Sequence, residues 1–347
     1  EHQTVAMRVT SGASPLGASV AAVIQNAQSA LHPAGPQGER FMSLWWLALA
    51  ISTVVFVLVV IFLLVAALRR REERGAPEPT AAPEPSRERA LGRAVSVAAA
   101  LTVVILFVWL VADVRTGRAY TSLRAAGARS PIAISVTGHQ WWWEVQYPDT
   151  DPSRRVVTAN EIHIPVGRPV VLTLTSTDVI HSFWAPNLGG KRDLLPGYVT
   201  TTWFQADRAG VYRAQCAEFC GHQHAHMALL VVAESPDRFQ AWLAAQRRPA
   251  ATPTDSLRAR GARVFLGAQC MMCHQISGTP AGGQTAPDLT HFGSRRTIAA
   301  GTLPNTRGNL AGWIVDPQGI KPGSLMPQNP LSPDELQALI AYLEGLE

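Results

Sequence analysis

Cysteine is scarce, with 4 in 347 residues. They fall into two tight pairs, Cys216/Cys220 and Cys270/Cys273. C-x3-C and C-x2-C spacings argue against a disulfide framework and for metal or cofactor ligation. Charge is missing from two long stretches. Residues 41–68 are 28 in a row without a charged side chain, and residues 94–112 are another 19. Neither stretch holds a histidine, so neither can ligate iron or another metal through imidazole. No internal repeat is present, which excludes a solenoid. No cysteine follows the weak apolar run 18–24, so a lipid anchor is not expected there.

Charge excess is also absent from the soluble parts. The net charge is +5, but seven Arg against five Glu lie in residues 69–93, and four Arg with no acid in 115–129. Residues 131–235 hold seven basic and nine acidic side chains, and residues 255–347 hold seven of each. The excess therefore borders the uncharged stretches, and nucleic-acid binding has no footprint.

Hydrophobic residues make up 47% of the chain. A stretch of about 20 apolar residues spans a membrane, so residues 41–114 read as a two-span hairpin (41–68 and 94–114). The arginine-rich connection favours the cytoplasmic side and puts both termini outside, although Arg115, Arg118, Arg124 and Arg129 beyond the second span weaken that bias. Residues 1–40 are small and polar, with little fixed structure expected. From 131 to 235, runs rich in Val, Ile, Thr and aromatics at 132–136, 142–147, 162–165, 170–175, 199–205, 211–215 and 228–232 alternate with Gly, Pro, Asp and Asn. That spacing predicts an all-β sandwich. Residues 244–255 read as a Pro/Ala/Thr linker, roughly 20 Å across as a flexible chain. Residues 256–347 read as helical, closing on a helix with Ser332 as N-cap, Pro333 at the first position and Glu335 completing a capping box.

Two clusters carry chemistry. The first is Cys216-Ala-Glu-Phe-Cys220-Gly-His-Gln-His224-Ala-His-Met227. Thiolates select copper, zinc or iron–sulfur chemistry, and a thioether favours copper. Two cysteines four apart can bridge two copper ions if a second imidazole comes from elsewhere, with His181 the candidate. A structural zinc on two Cys and two His is the alternative, and His222 and His226 rival His224. The second is Cys270-Met-Met-Cys273-His274, the signature for covalent c-type haem with His274 as the proximal ligand. Met271 and Met272 lie inside the attachment loop. Met326 is the later methionine able to supply the sixth ligand, with His291 as competitor. Methionine ligation raises the reduction potential.

The first cluster resembles the binuclear CuA motif of cytochrome c oxidase subunit II. Gly138-His-Gln-Trp141-Trp-Trp143, Asn160-Glu-Ile-His-Ile-Pro-Val-Gly167 and Leu188-Gly-Gly-Lys-Arg-Asp193-Leu-Leu-Pro-Gly197 add to the resemblance, which covers roughly residues 30–235. Tyr198 stands where the family usually has a basic residue. The resemblance implies a cupredoxin-like domain in which Cys216 and Cys220 bridge the coppers and His181 and His224 are terminal imidazoles. It makes Met227 a weak ligand, Glu218 a ligand through its carbonyl, and Trp141 the electron-entry residue. It further implies a magnesium ion reached by the Glu218 carboxylate at the interface with the large subunit. The segment 256–347 resembles class I cytochrome c, including Ala286-Pro-Asp-Leu-Thr-His-Phe-Gly293.

Together these describe a multidomain membrane protein resembling subunit II of bacterial haem-copper oxidases with a fused cytochrome c. The implied function is electron entry: donor (a cytochrome c or bc-type complex) to haem c, to CuA, to a haem of the large subunit that reduces O2 and pumps protons. The implied place is the bacterial inner membrane, with further oxidase subunits as partners. The alternative is a subunit of a CuA-containing nitric oxide reductase. A copper-delivery protein does not need the covalent haem.

Overall fold

The computed structural model describes residues 28–72, 85–126 and 131–347. The apolar run 18–24, with the rest of residues 1–27, and the middle of the arginine-rich connection lie outside the described residues. The chain divides into two compact units, residues 39–126 and residues 1–38 with 127–347.

The first unit is helical. α1 (Pro36–Glu72) and α2 (Pro85–Ala126) contain apolar spans Pro36–Arg69 and Glu88–Arg118 that are long enough to cross a membrane. At 1.5 Å per residue the 37 residues of α1 reach about 55 Å, against about 30 Å of hydrocarbon. Both helices thus extend past the expected limits of 41–68 and 94–114. An uncharged run marks the apolar slab, whereas the helix continues through any flanking residues that tolerate helical backbone.

In the second unit, ten strands make two five-stranded sheets. They are β1 (Ile132–His139), β2 (Trp142–Tyr147), β3 (Val156–Ala159), β4 (Glu161–Pro165), β5 (Val170–Ser176), β6 (His181–Trp184), β7 (Arg192–Leu194), β8 (Thr200–Phe204), β9 (Gly210–Cys216) and β10 (Ala228–Glu234). One sheet has the order β3-β2-β1-β5-β8, the other β4-β10-β9-β6-β7. Neighbours are antiparallel except β1 with β5 and β10 with β4. The period-2 alternation of a half-buried strand is clear in β5, where Val170, Leu172 and Leu174 are buried and Val171, Thr173 and Thr175 are not. Those residues join Ile134, Trp143, Ile162 and Leu229 in one core. Each such side chain contributes about 1.5–3 kcal/mol on full burial.

The structure departs from two expectations. Residues 28–40 are not loose throughout: Ala34 N–H donates to Asn187 O at 2.8 Å and the buried Gln37 amide to Trp203 O at 2.6 Å. Their small, polar composition concealed hydrogen bonds to a distant part of the chain. Nor is 244–255 a free tether. α3 (Pro236–Gln246), N-capped by Ser235, takes its first three residues and buries Phe239 in the β core. Beyond it, Arg247 Nη2 pairs with Asp149 at 3.3 Å and Ala250 N–H donates to Ser277 O at 2.9 Å. Backbone and side-chain bonds on both sides pin a segment whose composition alone suggests freedom.

The C-terminal domain holds α4 (Ser256–Gly267), α5 (Cys270–Cys273), a short pair β11 (Thr297–Ile298) and β12 (Leu303–Pro304), then α6 (Arg307–Val315), α7 (Pro317–Ile320) and α8 (Pro333–Glu344). α8 has its capping box, with the Ser332 side chain accepting from Glu335 N–H and the Glu335 carboxylate accepting from Ser332 N–H. α4 and α8 cross at Gly261, where a Cβ would stand 2.0 Å from Ala338 O. Phe265, Ile314, Leu339 and Leu343 fill a separate core. This domain is bonded to the β domain: Ala228 N–H donates to Ala300 O at 2.9 Å, and Arg296 N–H to the buried Glu161 carboxylate at 2.6 Å.

Candidate functional site

β6 starts with His181 and β9 ends with Cys216; the two strands are paired, Phe183 facing Cys216. Cys220, His224 and Met227 follow on the loop that returns into β10. Two adjacent strands and one loop thereby bring together residues separated by up to 46 positions. The Cys216 and Cys220 sulfurs are 3.7 Å apart. His181 Nδ1 is 3.8 Å from Cys216 Sγ, and His224 Nδ1 is 3.6 Å from Cys220 Sγ. Met227 Sδ is 3.8 Å from Cys220 Sγ, and Glu218 O is 3.2 Å from Cys216 Sγ. Cys216, Cys220, His181 and Met227 are buried.

These spacings suit a metal. Metal–sulfur bonds of about 2.3 Å and metal–nitrogen bonds of about 2.0 Å at a tetrahedral angle place ligand atoms roughly 3.5–3.8 Å apart. The potential ligand atoms of His181, Cys216 and Cys220 lie within 4.8 Å of one another. His224 stands outside that group, at the Cys220 end. The remaining histidines of the loop turn away. His226 Nδ1 bonds to the Gln223 side chain at 2.8 Å, and His222 is exposed.

Electrostatics prepares the sulfurs. The Cys216 thiol is held well below the usual range, chiefly by its hydrogen bond with Cys220, with His181 acting in the same direction against burial. Cys220 is pushed up by the hydrogen bond with Cys216 and by burial. Burial opposes protonation of His181, but the Cys216 sulfur and the Asp178 carboxylate outweigh it and raise the pKa. Asp178 Oδ1 is 2.8 Å from His181 Nε2 and fixes which nitrogen faces the sulfurs. Asp178 Oδ2 also accepts from Gln140 N–H at 2.6 Å.

The second site is a cavity of about 500 Å³, within the usual range for small-molecule sites. Cys270, Cys273, His274 and Met326 all line it. His274 Nδ1 is 2.7 Å from Pro287 O, which leaves Nε2 for a ligand. Burial lowers the His274 pKa and favours the neutral, ligating ring. His291, the competitor for the sixth position, bonds through Nε2 to Arg248 O at 3.0 Å and is not among the lining residues. The buried Nε of Arg295, also on the lining, has no partner among the described residues. An orphaned guanidinium N–H fits a group that brings its own acceptors, as the carboxylates of a haem do.

The three tryptophans divide. Trp143 is fully buried, its ring edge to that of His181 at 6.0 Å. Trp142 lines the cavity. Trp141 also lines it, and its Nε1 donates to Cys220 O at 2.8 Å. Sequence reasoning missed Asp178, Arg295 and the buried Lys321. Asp178 stands three residues before His181, and Lys321 five before Met326.

Residues 150–234 match the family model for cytochrome c oxidase subunit II, periplasmic domain. Residues 258–347 match that for cytochrome c. The cytochrome c oxidase subunit 2 of Alkalihalophilus pseudofirmus is 34% identical over 326 residues, covering 92% of this chain and 91% of that one. The cytochrome c oxidase subunit 2 of Bacillus sp. (strain PS3) is 31% identical over 263 residues, covering 71% and 72%. Two apolar helices, a cupredoxin-like β-sandwich and a helical cytochrome c domain define a membrane protein with a periplasmic domain. The chain belongs to the cytochrome c oxidase subunit 2 family. It is therefore a component of an oxidoreductase complex with partner oxidase subunits. Its cytochrome c domain implies haem c and its subunit II domain implies copper.

Proposed function

We propose that this chain is the electron-entry subunit of a proton-pumping cytochrome c oxidase. Electrons pass from haem c to a binuclear CuA centre and on to the haem of the large subunit, where O2 is reduced. The observation that supports this best is that each sulfur has its own imidazole, His181 at Cys216 and His224 at Cys220. A single tetrahedral ion draws all four ligand atoms to within about 4 Å of one another, whereas this set has two ends.

Cys216 and Cys220 would bridge the ions, with Met227 as weak ligand and Glu218 contributing its carbonyl. When bound, the copper pair supplies a one-electron store shared across two thiolates, which limits reorganisation on transfer. Asp178 bonds His181 Nε2, so Nδ1 would be the nitrogen that ligates copper. Cys270 and Cys273 would hold the porphyrin, and His274 Nε2 and Met326 would ligate its iron. Haem c supplies a one-electron carrier whose potential methionine ligation raises. Trp141 would carry electrons toward Cys220, whose carbonyl it contacts. The Glu218 carboxylate is exposed and 3.5 Å from Lys191 Nζ, which leaves it available to a hard cation such as Mg at the large-subunit interface. Residues 41–114 would cross the bacterial inner membrane twice, with the N- and C-terminal parts outside. A cytochrome c or bc-type complex would be the donor.

The test is copurification with the large subunit, an O2-consumption assay, and stopped-flow reduction by the donor. Haem c should reduce before the copper band changes. Copper reduced while haem c stays oxidised overturns the relay, and NO reduction without O2 consumption assigns the chain to the nitric oxide reductases.

A further inference from the structure

Lys321 is buried, 3% exposed, at the head of the loop that carries Met326. Its Nζ donates to Trp141 O at 2.7 Å and to Ala299 O at 3.0 Å. Among the described residues no carboxylate forms an ion pair with it. Lysine is almost never fully buried without a charged partner, because desolvating an ammonium is costly. A methionine or leucine would fill the same space without that cost. What the side-chain nitrogen adds is a pair of hydrogen bonds to two main-chain carbonyls, one in each domain.

The surroundings repeat this bridging. Gln223 Nε2, buried in the copper loop, donates to Pro322 O at 2.8 Å. Ala299, Ala300 and Gly301 all have positive φ, at 52°, 56° and 71°. L-alanine disfavours that region, yet it aims Ala299 O at Lys321 and Ala300 O at Ala228 N–H. The Trp141 indole lies between the two loops. A Cβ on Gly221 of the copper loop would stand 3.1 Å from Trp141 Cζ2, and one on Gly323 would stand 3.5 Å from its Cη2. Trp141 is consequently only 8% exposed.

We infer that Lys321 is a positioning residue for internal electron transfer: it latches the loop of residues 321–326 onto the Trp141 backbone, fixing the haem cavity against the copper loop and closing the Trp141 indole to outside donors. The inference rests on the haem-to-copper order proposed above. One electron leaves reduced haem c and the copper pair gains it, with no bond made or broken. The latch acts on the distance between them. Met326, five residues along the same loop, then holds a set place relative to Cys220.

The test uses the assembled oxidase with Lys321→Met, which keeps side-chain length and removes both donors, and Lys321→Gln, which keeps one donor group. Haem c is photoreduced directly, so no external donor is involved, and the rate of copper reduction is followed. Hydrogen exchange is measured at the amides of Ala228 and of residues 323–326. Lys321→Met should leave the copper and haem spectra unchanged, slow the transfer by about tenfold or more through lost fixed geometry, and raise exchange at those amides. Lys321→Gln should fall between it and the parent, and it carries the same readouts if the Met variant does not accumulate. Unchanged rate and exchange overturn the latch, and raised exchange with an unchanged rate overturns its positioning role. Failure of the haem-first order is seen separately, as copper reduced before haem when the unsubstituted enzyme meets its donor.

Discussion

Trp141 and Cys220 are joined by a single hydrogen bond, from the indole Nε1 to the Cys220 carbonyl at 2.8 Å. The same carbonyl accepts from Gln140 Nε2, also at 2.8 Å, so it stays satisfied if the indole is lost. Trp141→Phe should therefore load copper normally, with an unchanged EPR signal. Copper reduction from photoreduced haem c should slow by about tenfold or more. An unchanged rate removes Trp141 from the route.

The two-ended ligand set predicts two coppers per chain and a multiline EPR signal. Cys216→Ser should abolish the shared signal, because one bridge is gone and His181 loses the sulfur beside it. Metal analysis with EPR decides this, and one copper or one zinc in the parent chain is the opposing result.

Glu218 uses its backbone toward Cys216, at 3.2 Å, and its side chain toward Lys191. Glu218→Gln should leave the copper spectrum intact and weaken Mg or Mn binding in the assembled enzyme. The Lys191 pair is largely exposed, so the stability change should stay within about 1 kcal/mol. Manganese EPR on the assembled enzyme reads the effect, and undiminished Mn binding rejects the role.

Met326→Ala should lower the haem c potential, since methionine ligation raises it, and should slow turnover with the donor. Covalent attachment through Cys270 and Cys273 should persist. Redox titration and a haem-stained gel test the two parts.

His163 lies between two carboxylates, 3.6 Å from Glu161 and 2.7 Å from Glu234, with Trp242 stacked on its ring. Burial disfavours its charge, but Glu161 and Glu234 outweigh burial and raise its pKa. Hydrogen bonding to His163 lowers that of Glu234. The His163 contribution is complete below its unfolded pKa of about 6.5 and is lost as pH rises through the raised folded value. The Glu234 contribution is complete above about 4.3 and is lost as pH falls through its lowered value. The pair thus stabilises most between those limits. The melting-temperature gap between the parent and His163→Gln should be wide at pH 6 and narrow at pH 9. An equal gap at both values refutes the pairing.

What was legible in the sequence was whatever sat close together along it. Cys216, Cys220, His224 and Met227 lie in one stretch, as do Cys270, Cys273 and His274. The strongest β runs coincide with strands, while β3, β6 and β7, of three or four residues each, are too short for an alternating pattern. His181 was reached by chemistry, as the imidazole a second copper needs, although it opens one of those short strands. Lys321 and its partner Trp141 are 180 positions apart, and no local signal connects them. The bonds that pin residues 247–255 are likewise long-range or main-chain, and composition carries neither.

The crossing of α4 and α8 at Gly261 leaves no room for even one added carbon beside Ala338 O. Any side chain at Gly261 would therefore push apart the two helices that enclose Phe265, Leu339 and Leu343.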